Sequence, residues 1–368
     1  MSEVPKLYKG AAALVLGFTV LGGVVVYSYR SSGGSNGFLS SDPFIQGPIE
    51  LYDKNNPDNK IHVAGRGIQI DTSSLSPQGD KLAYSVDGVP VLLHIVNING
   101  QKDWVVPNIN ANDPSWSPTG DKIAFTSWGQ TNPGIWVADV NSENPNPHRI
   151  TTPQVNSSEF NPLWSPTGDK IAYIKTFFLQ NQFNYDEIWT VNKDGSKEQM
   201  IVTSGTGSIL NPNWSPDGEN LIFQYTSPSQ GSSSNNLSDI YTVNIVSGNM
   251  NKLTVEPSID FIFDDVVPKW SPDRKKILYQ EYIFDKKISQ NITTIYTMNP
   301  DGSNKTLILD DVFASDAGWT PDGKGITFST LKNNRRGLYL KNLESGEVKL
   351  LKDGENNLND PSWWPSQK

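Results

Sequence analysis

Short apolar stretches recur along the chain from about residue 44 onward, separated by polar turns, and none of them keeps a helical period. Ile123-Ala124-Phe125, Ile171-Ala172-Tyr173 and Ile277-Leu278-Tyr279 are β-branched or aromatic at their ends, the composition of buried strands. Each follows a turn of one design: an aromatic, Ser-Pro, a turn residue, Gly and a polar residue. The design begins at Leu75, Trp116, Trp164, Trp214, Trp270 and Trp319, and a shortened copy begins at Trp363. The copies are roughly 41 to 56 residues apart, the size of a four-stranded propeller blade. Proline presets φ for the turn and Gly218 supplies a positive φ. Arg274 stands in place of that glycine in one copy, which predicts strain there.

A third strand follows in each unit, as at Ile188-Trp189-Thr190 or Ile295-Tyr296-Thr297. Then come a second turn, as at Asp194-Gly195, and a fourth strand, as at Lys252-Leu253-Thr254. The last copy, from Pro361, supplies only an inner strand, while Pro48–Asp53 and Lys60–Val63 read as the third and fourth strands of a blade that lacks its first. Joining the two ends completes a ring and removes its open edges. The expected fold is an all-β, seven-bladed propeller closed by N- and C-terminal strands. Six blades is the alternative, with the ends as a cap.

One stretch breaks the pattern. Gly10 to Tyr29 is uncharged and apolar, with Lys6 and Lys9 before it and Arg30 after it. As a helix it would span about 30 Å, the thickness of a bilayer core. Val26-Tyr27-Ser28 is a poor signal-cleavage site. The reading is one N-terminal transmembrane helix that stays attached, with the body outside the cytoplasm. Residues 1–30 are then stub and anchor, 31–43 a flexible Gly/Ser linker, and 44–368 the propeller.

Composition narrows the chemistry. The net charge of −9 disfavours nucleic acid. With no cysteine there is no disulfide, thiol nucleophile or cysteine-ligated zinc. His62, His94 and His148 fall in different blades without ligand spacing, and no nucleophile elbow, His-Glu-x-x-His or phosphate loop is present. The expectation is a chain that is not an enzyme and holds no cofactor or metal.

Two groups of residues are candidates for binding. Three residues before each repeat aromatic stand Thr72, Asp113, Asn161, Asn211, Val267, Asp316 and Asp360. Placed at the mouth of the inner strands, Asp113, Asn161, Asn211, Asp316 and Asp360 would form a polar funnel; alternatively they bond to neighbouring turn amides. The second group lies on the segments that join second to third strands or enter the inner strand: Phe177, Phe178, Phe183, Tyr185, Phe261, Phe263, Tyr282 and Phe284. Such aromatics either tuck over the blades or form a contact patch. The repeat tryptophans read as packing groups between blades, whereas Trp128 and Trp364 lie outside the repeat.

The Trp-Ser-Pro-Asp-Gly hairpins and the Ile-Tyr-x-x-Asn-x-Asp-Gly segment at Ile295–Gly302 resemble the repeats of the TolB family, the periplasmic propeller of the Tol–Pal envelope system. The resemblance covers about residues 44 to 368. It implies the propeller fold and an envelope location. It does not extend to the α/β domain that precedes the TolB propeller, or to membership of that system. The function expected is a membrane-anchored scaffold docking an envelope protein or peptide on the loop-rich face. A carbohydrate-binding or carbohydrate-active propeller is the alternative.

Overall fold

Each of the six full copies of the repeat folds into four antiparallel strands. In a computed structural model, described residues are 24–29, 45–46, 50–53, 56–62, 69–86, 90–97, 103–106, 109–128, 133–140, 146–178, 184–227, 238–254, 261–285, 290–311, 314–332, 335–353 and 358–359. In the unit built on Trp164, the strands are Ser157–Trp164, Lys170–Phe177, Tyr185–Asn192 and Gln199–Thr203, paired in that order. Units 1 to 6 begin with Gln69–Leu75, Ala111–Trp116, Ser157–Trp164, Ser208–Trp214, Phe261–Trp270 and Ser315–Trp319. Units 4 and 5 are joined by one parallel pair, Ser238 with Asp264. The first strands of units 1 and 2, of units 2 and 3, and of units 4 and 5 lie against each other and so are innermost, the arrangement of a β-propeller. Among the described residues there is no helix, and so none long and apolar enough to cross a membrane.

A further sheet joins the two ends of the described chain, in the order Leu358–Asn359, Val24–Tyr29, Glu50–Asp53, Asn56–His62. The third and fourth strands expected from the sequence are there. The strand between them and the tail is Val24–Tyr29, the end of the run read as a transmembrane helix. Three successive valines and two tyrosines favour an extended backbone, which corrects the helix at these positions. The rest of that run, and Trp363 and Trp364, lie outside the described residues.

The core sits between units. Ile171 and Tyr173 of unit 3 pack with Ala124, Ile135 and Val137 of unit 2, and Trp164 lies among them. Trp116, Trp214 and Trp319 occupy the same place at other interfaces. Their indole N–H groups donate to the preceding inner strand, at the carbonyls of Ser74 (2.9 Å), Leu163 (3.0 Å) and Lys269 (3.1 Å). A ring that fills the gap and satisfies its one donor is a packing group, as the repeat implied.

The hairpins explain their own sequence. The Ser165 hydroxyl accepts from Lys170 N (3.1 Å) and donates to Asp169 Oδ1 (3.0 Å). Gly218 has φ 74°, and Arg274 adopts the same conformation at φ 65°. The strain expected at Arg274 is therefore present. Its guanidinium reaches Asp217 Oδ2 on the neighbouring hairpin, at 2.9 Å.

Candidate functional site

The ring has a hairpin end and a loop end, and the strand directions assign every connection to one of them. Segments between second and third strands, and those entering each first strand, lie at the loop end.

Asp113, Asn161 and Asn211 are not at the mouth of their strands. They stand inside them, at bulges where the pairing register shifts, with φ of 51°, 53° and 53°. Val267 has φ 53° at the same place in unit 5. Asp and Asn tolerate the left-handed region better than other side chains, so a backbone requirement accounts for their recurrence. Asn211 also donates to Gln224 Oε1 (3.0 Å), within its own sheet. Asp316 lies in a strand with the same register shift, and Asp360 lies outside the described residues.

The loop aromatics divide. Phe177 and Tyr185 are a cross-strand pair, stacked with centroids 4.9 Å apart. Phe178 follows, 41% exposed, its N–H bonded to Asn156 O at 2.8 Å. Phe183 lies outside the described residues. Phe261, Phe263, Tyr282 and Phe284 are in paired strands and not on loops: Phe261 faces Asp285, Phe263 faces Ile283, Asp264 faces Tyr282 and Ile262 faces Phe284. Their apolar, β-rich sequence extends the hairpin where the length suggested an insertion.

Two more exposed groups lie at the loop end. Trp128 is 40% exposed, and its carbonyl accepts from Asn110 Nδ2 at 3.3 Å. Val155, in the segment entering unit 3, is 88% exposed. Trp128 was legible as a tryptophan outside the repeat; Val155 carried no signal in the sequence.

At this end of units 3 and 4 several ionisable groups turn inward. Lys175, fully buried, sits 2.9 Å from Glu159 Oε1 and 3.3 Å from Glu198 Oε1, over the Trp189 ring at 4.2 Å. The Tyr173 hydroxyl donates to Glu198 Oε1 (2.6 Å), and burial holds its pKa well above the usual tyrosine range. Glu159 accepts from the Thr151 hydroxyl of unit 2, so the cluster ties two units together. Unit 5 has the charges exchanged: Glu281 takes the place of Lys175 and pairs with Lys305, whose ammonium lies 4.2 Å from the centre of the Tyr296 ring. Asp186 links units 3 and 4 by accepting Ile209 N–H at 2.9 Å; burial pushes its carboxyl pKa up, partly offset by the Thr176 and Ile209 hydrogen bonds.

At the hairpin end the carboxylates are shifted the other way. The Thr119 and Thr167 hydroxyls hold Asp121 and Asp169 below the usual carboxylate range. A cleft of about 310 Å³ between units 5 and 6 is lined there by repeat residues including Asp273, Lys276 and Trp319. Lys276 is already bonded to Asn299 Oδ1 at 2.8 Å. Among the described residues no three His, Asp or Glu side chains converge as metal ligands.

The chain is 28% identical over 152 residues to dipeptidyl-peptidase 5 of Porphyromonas gingivalis. The match covers 40% of this chain and only 21% of the relative, so the chain spans about a fifth of that protein. Oligogalacturonate lyase of Vibrio parahaemolyticus has a similar structure, with a TM-score of 0.60, 14% identity and 76% of each chain covered. TolB of Acinetobacter baumannii aligns over 94% of this chain and 83% of its own, with a TM-score of 0.50 and 16% identity. The expectation that the chain is not an enzyme is overturned by the peptidase relative. The repeat occurs in enzymes, so the lack of a familiar catalytic motif does not exclude activity. The TolB beta propeller domain model matches residues 153–368, more than half of the chain. The chain belongs to the TolB β-propeller domain family.

Proposed function

We propose that the protein is an extracytoplasmic, membrane-tethered propeller whose loop end, over units 2 and 3, docks a partner of the cell envelope. The exposure of Trp128, Phe178 and Val155 at one end of two neighbouring units is the observation that carries it. Large apolar side chains that stay open to solvent, on segments fixed by hydrogen bonds, are the usual material of a contact patch. Family membership supports a binding role, and the peptidase relative leaves turnover of the bound partner open.

The ring in this reading has seven blades, the seventh made by the two ends of the chain. The sheet joining Leu358–Asn359 to Val24–Tyr29 supports this closure. The uncharged residues Gly10 to Gly23 that precede this strand, with Lys6 and Lys9 before them, support attachment to a membrane.

Capture of envelope components by the full-length chain tests the docking end. Trp128→Ser with Phe178→Ser is expected to lose the specific partner while keeping the thermal midpoint. Equal capture by the variant counts against this end of the ring. Extraction of membranes with alkaline carbonate tests the tether: retention in the pellet is expected, and release contradicts it.

A further inference from the structure

One ion pair of unit 3 is sealed from water. Glu159 of Ser157–Trp164 and Lys175 of Lys170–Phe177 stand directly opposite each other in the antiparallel register. Their side chains are 1% and 0% exposed, and Nζ lies 2.9 Å from Glu159 Oε1. In the pairs Lys305–Glu281 and Lys252–Asp239, by contrast, water reaches the lysine, whose side chain is 42% and 40% exposed.

The sealed pair is costly as it stands. Two charges taken out of water lose their hydration. Glu159 Oε1 is also buried without accepting a hydrogen bond, because Nζ approaches it off the hydrogen-bond direction. Around the pair are the groups that an acyl transfer needs. The Thr151 hydroxyl donates to the other carboxylate oxygen, Oε2. Glu198 Oε1 lies 3.3 Å from Nζ. It is held there by the Tyr173 hydroxyl (2.6 Å) and, through Oε2, by Thr152 N–H (3.2 Å). The Trp189 and Tyr173 rings cover Nζ, with centroids at 4.2 and 5.7 Å.

We infer that Lys175 and Glu159 condense to an amide, a covalent cross-link between the first two strands of unit 3. Moving a proton from Nζ to Glu159 Oε1 leaves an amine and an acid, with no charge on either to bury. The nitrogen lone pair attacks Cδ of Glu159. Charge gathers on Oε2, where the Thr151 hydroxyl already points. Glu198 takes a second proton from the nitrogen and passes it to Oε1, which leaves as water. Of the three ammonium protons, two depart with that water and one stays on the amide nitrogen, facing Glu198. A C–N bond forms, a C–O bond breaks, and nothing is oxidised or reduced. The product removes both charges and the orphaned oxygen. Fixing the two groups side by side replaces an encounter in solution, and exclusion of water opposes the reverse step. Glu159 is the acyl group because it is nearer to Nζ, while Glu198 is already bonded to Tyr173 and Thr152. A chain without cysteine has no disulfide, and this link closes the loop from 159 to 175 in its place. The inference does not depend on what the loop end docks.

Mass spectrometry of the full-length protein tests it. The wild-type chain is expected to weigh less than its sequence by the mass of one water. Tryptic digestion is expected to give a peptide containing Glu159 joined to one containing Lys175. Lys175→Met and Glu159→Ala are expected to show no deficit. Glu198→Gln is expected to close about a hundredfold more slowly, the loss of one proton-transfer group. Glu281→Gln, in the exposed pair, is expected to leave the link unchanged. Separate wild-type peptides overturn the inference, as does loss of water without joined peptides or a link from Lys175 to Glu198. Closure of Glu198→Gln at the wild-type rate overturns the proton transfer assigned to Glu198. The wild-type digest decides the matter even where a variant fails to fold.

Discussion

At the hairpin end, each unit repeats one construction: a Ser or Thr hydroxyl receives a backbone N–H and donates to a carboxylate, as Ser165 does between Lys170 and Asp169. At the loop end the exposed groups differ between units 2 and 3. Trp128 stands on unit 2, Val155 enters unit 3, and Phe177 stacks on Tyr185 within unit 3. The difference follows from what each end must do. The hairpins set the pairing of the two innermost strands of every blade, so their chemistry is dictated by the fold. The loop end is released from that duty and can carry unit-specific groups. Stability changes should therefore concentrate in the repeat, and ligand effects at the other end.

The largest expected effect is at a repeat tryptophan. Trp214 is 6% exposed, packs between units 3 and 4, and bonds to Leu163 O. Trp214→Ala should destabilise the protein by about 3–5 kcal/mol, read as a fall in urea midpoint. A loss as small as that of Trp128→Ala would erase the distinction between packing and exposed tryptophans.

A smaller effect is expected from Asp186, with a definite sign. Its folded pKa is raised by burial, so the folded state holds the proton more tightly than the unfolded chain does. The contribution to stability is present below the unfolded value and is lost as pH rises through the folded one. Asp186→Asn should flatten that decline in urea midpoints between about pH 4 and about pH 8. The hairpin carboxylates run the opposite way: Asp121 and Asp169, held low by threonine hydroxyls, stabilise above the unfolded pKa and lose that contribution as pH falls through their folded values. If Asp186→Asn leaves the pH profile unchanged, the contrast in carboxylate environment between the two ends fails.

The smallest effect sharpens the hairpin side. Arg274 adopts φ 65° without being glycine. Arg274→Gly relieves that strain, roughly 1 kcal/mol, and forfeits a surface ion pair to Asp217 worth at most about as much. The net change should be a rise in thermal midpoint of a degree or two or none, about what a fraction of a kcal/mol gives. A clear fall would mean that the ion pair between hairpins outweighs the backbone.

Much of this was legible in the residues. The spacing of the Ser-Pro and Thr-Pro turns located the six units described, and a glycine marked the hairpin in all but the fifth. The run Gly10–Tyr29 misled at its end because Val24-Val25-Val26 suits a strand as well as an apolar helix, and only the pairing partners Glu50–Asp53 decide between them. Asp113, Asn161 and Asn211 looked like a funnel because their shared property, tolerance of positive φ, is a backbone property that composition does not separate from binding. The cluster around Lys175 is built from three strands and two connecting segments of two units, and no local pattern announces it. Val155 is exposed only because its segment folds outward, which its sequence does not say.

Hydrogen–deuterium exchange of the full-length protein, with and without the envelope fraction it captures, tests the division between the two ends most directly. Protection is expected in peptides covering 151–158 and 172–178, with hairpins 165–169 and 215–219 unchanged. Protection at the hairpins with none at 151–158 would contradict it.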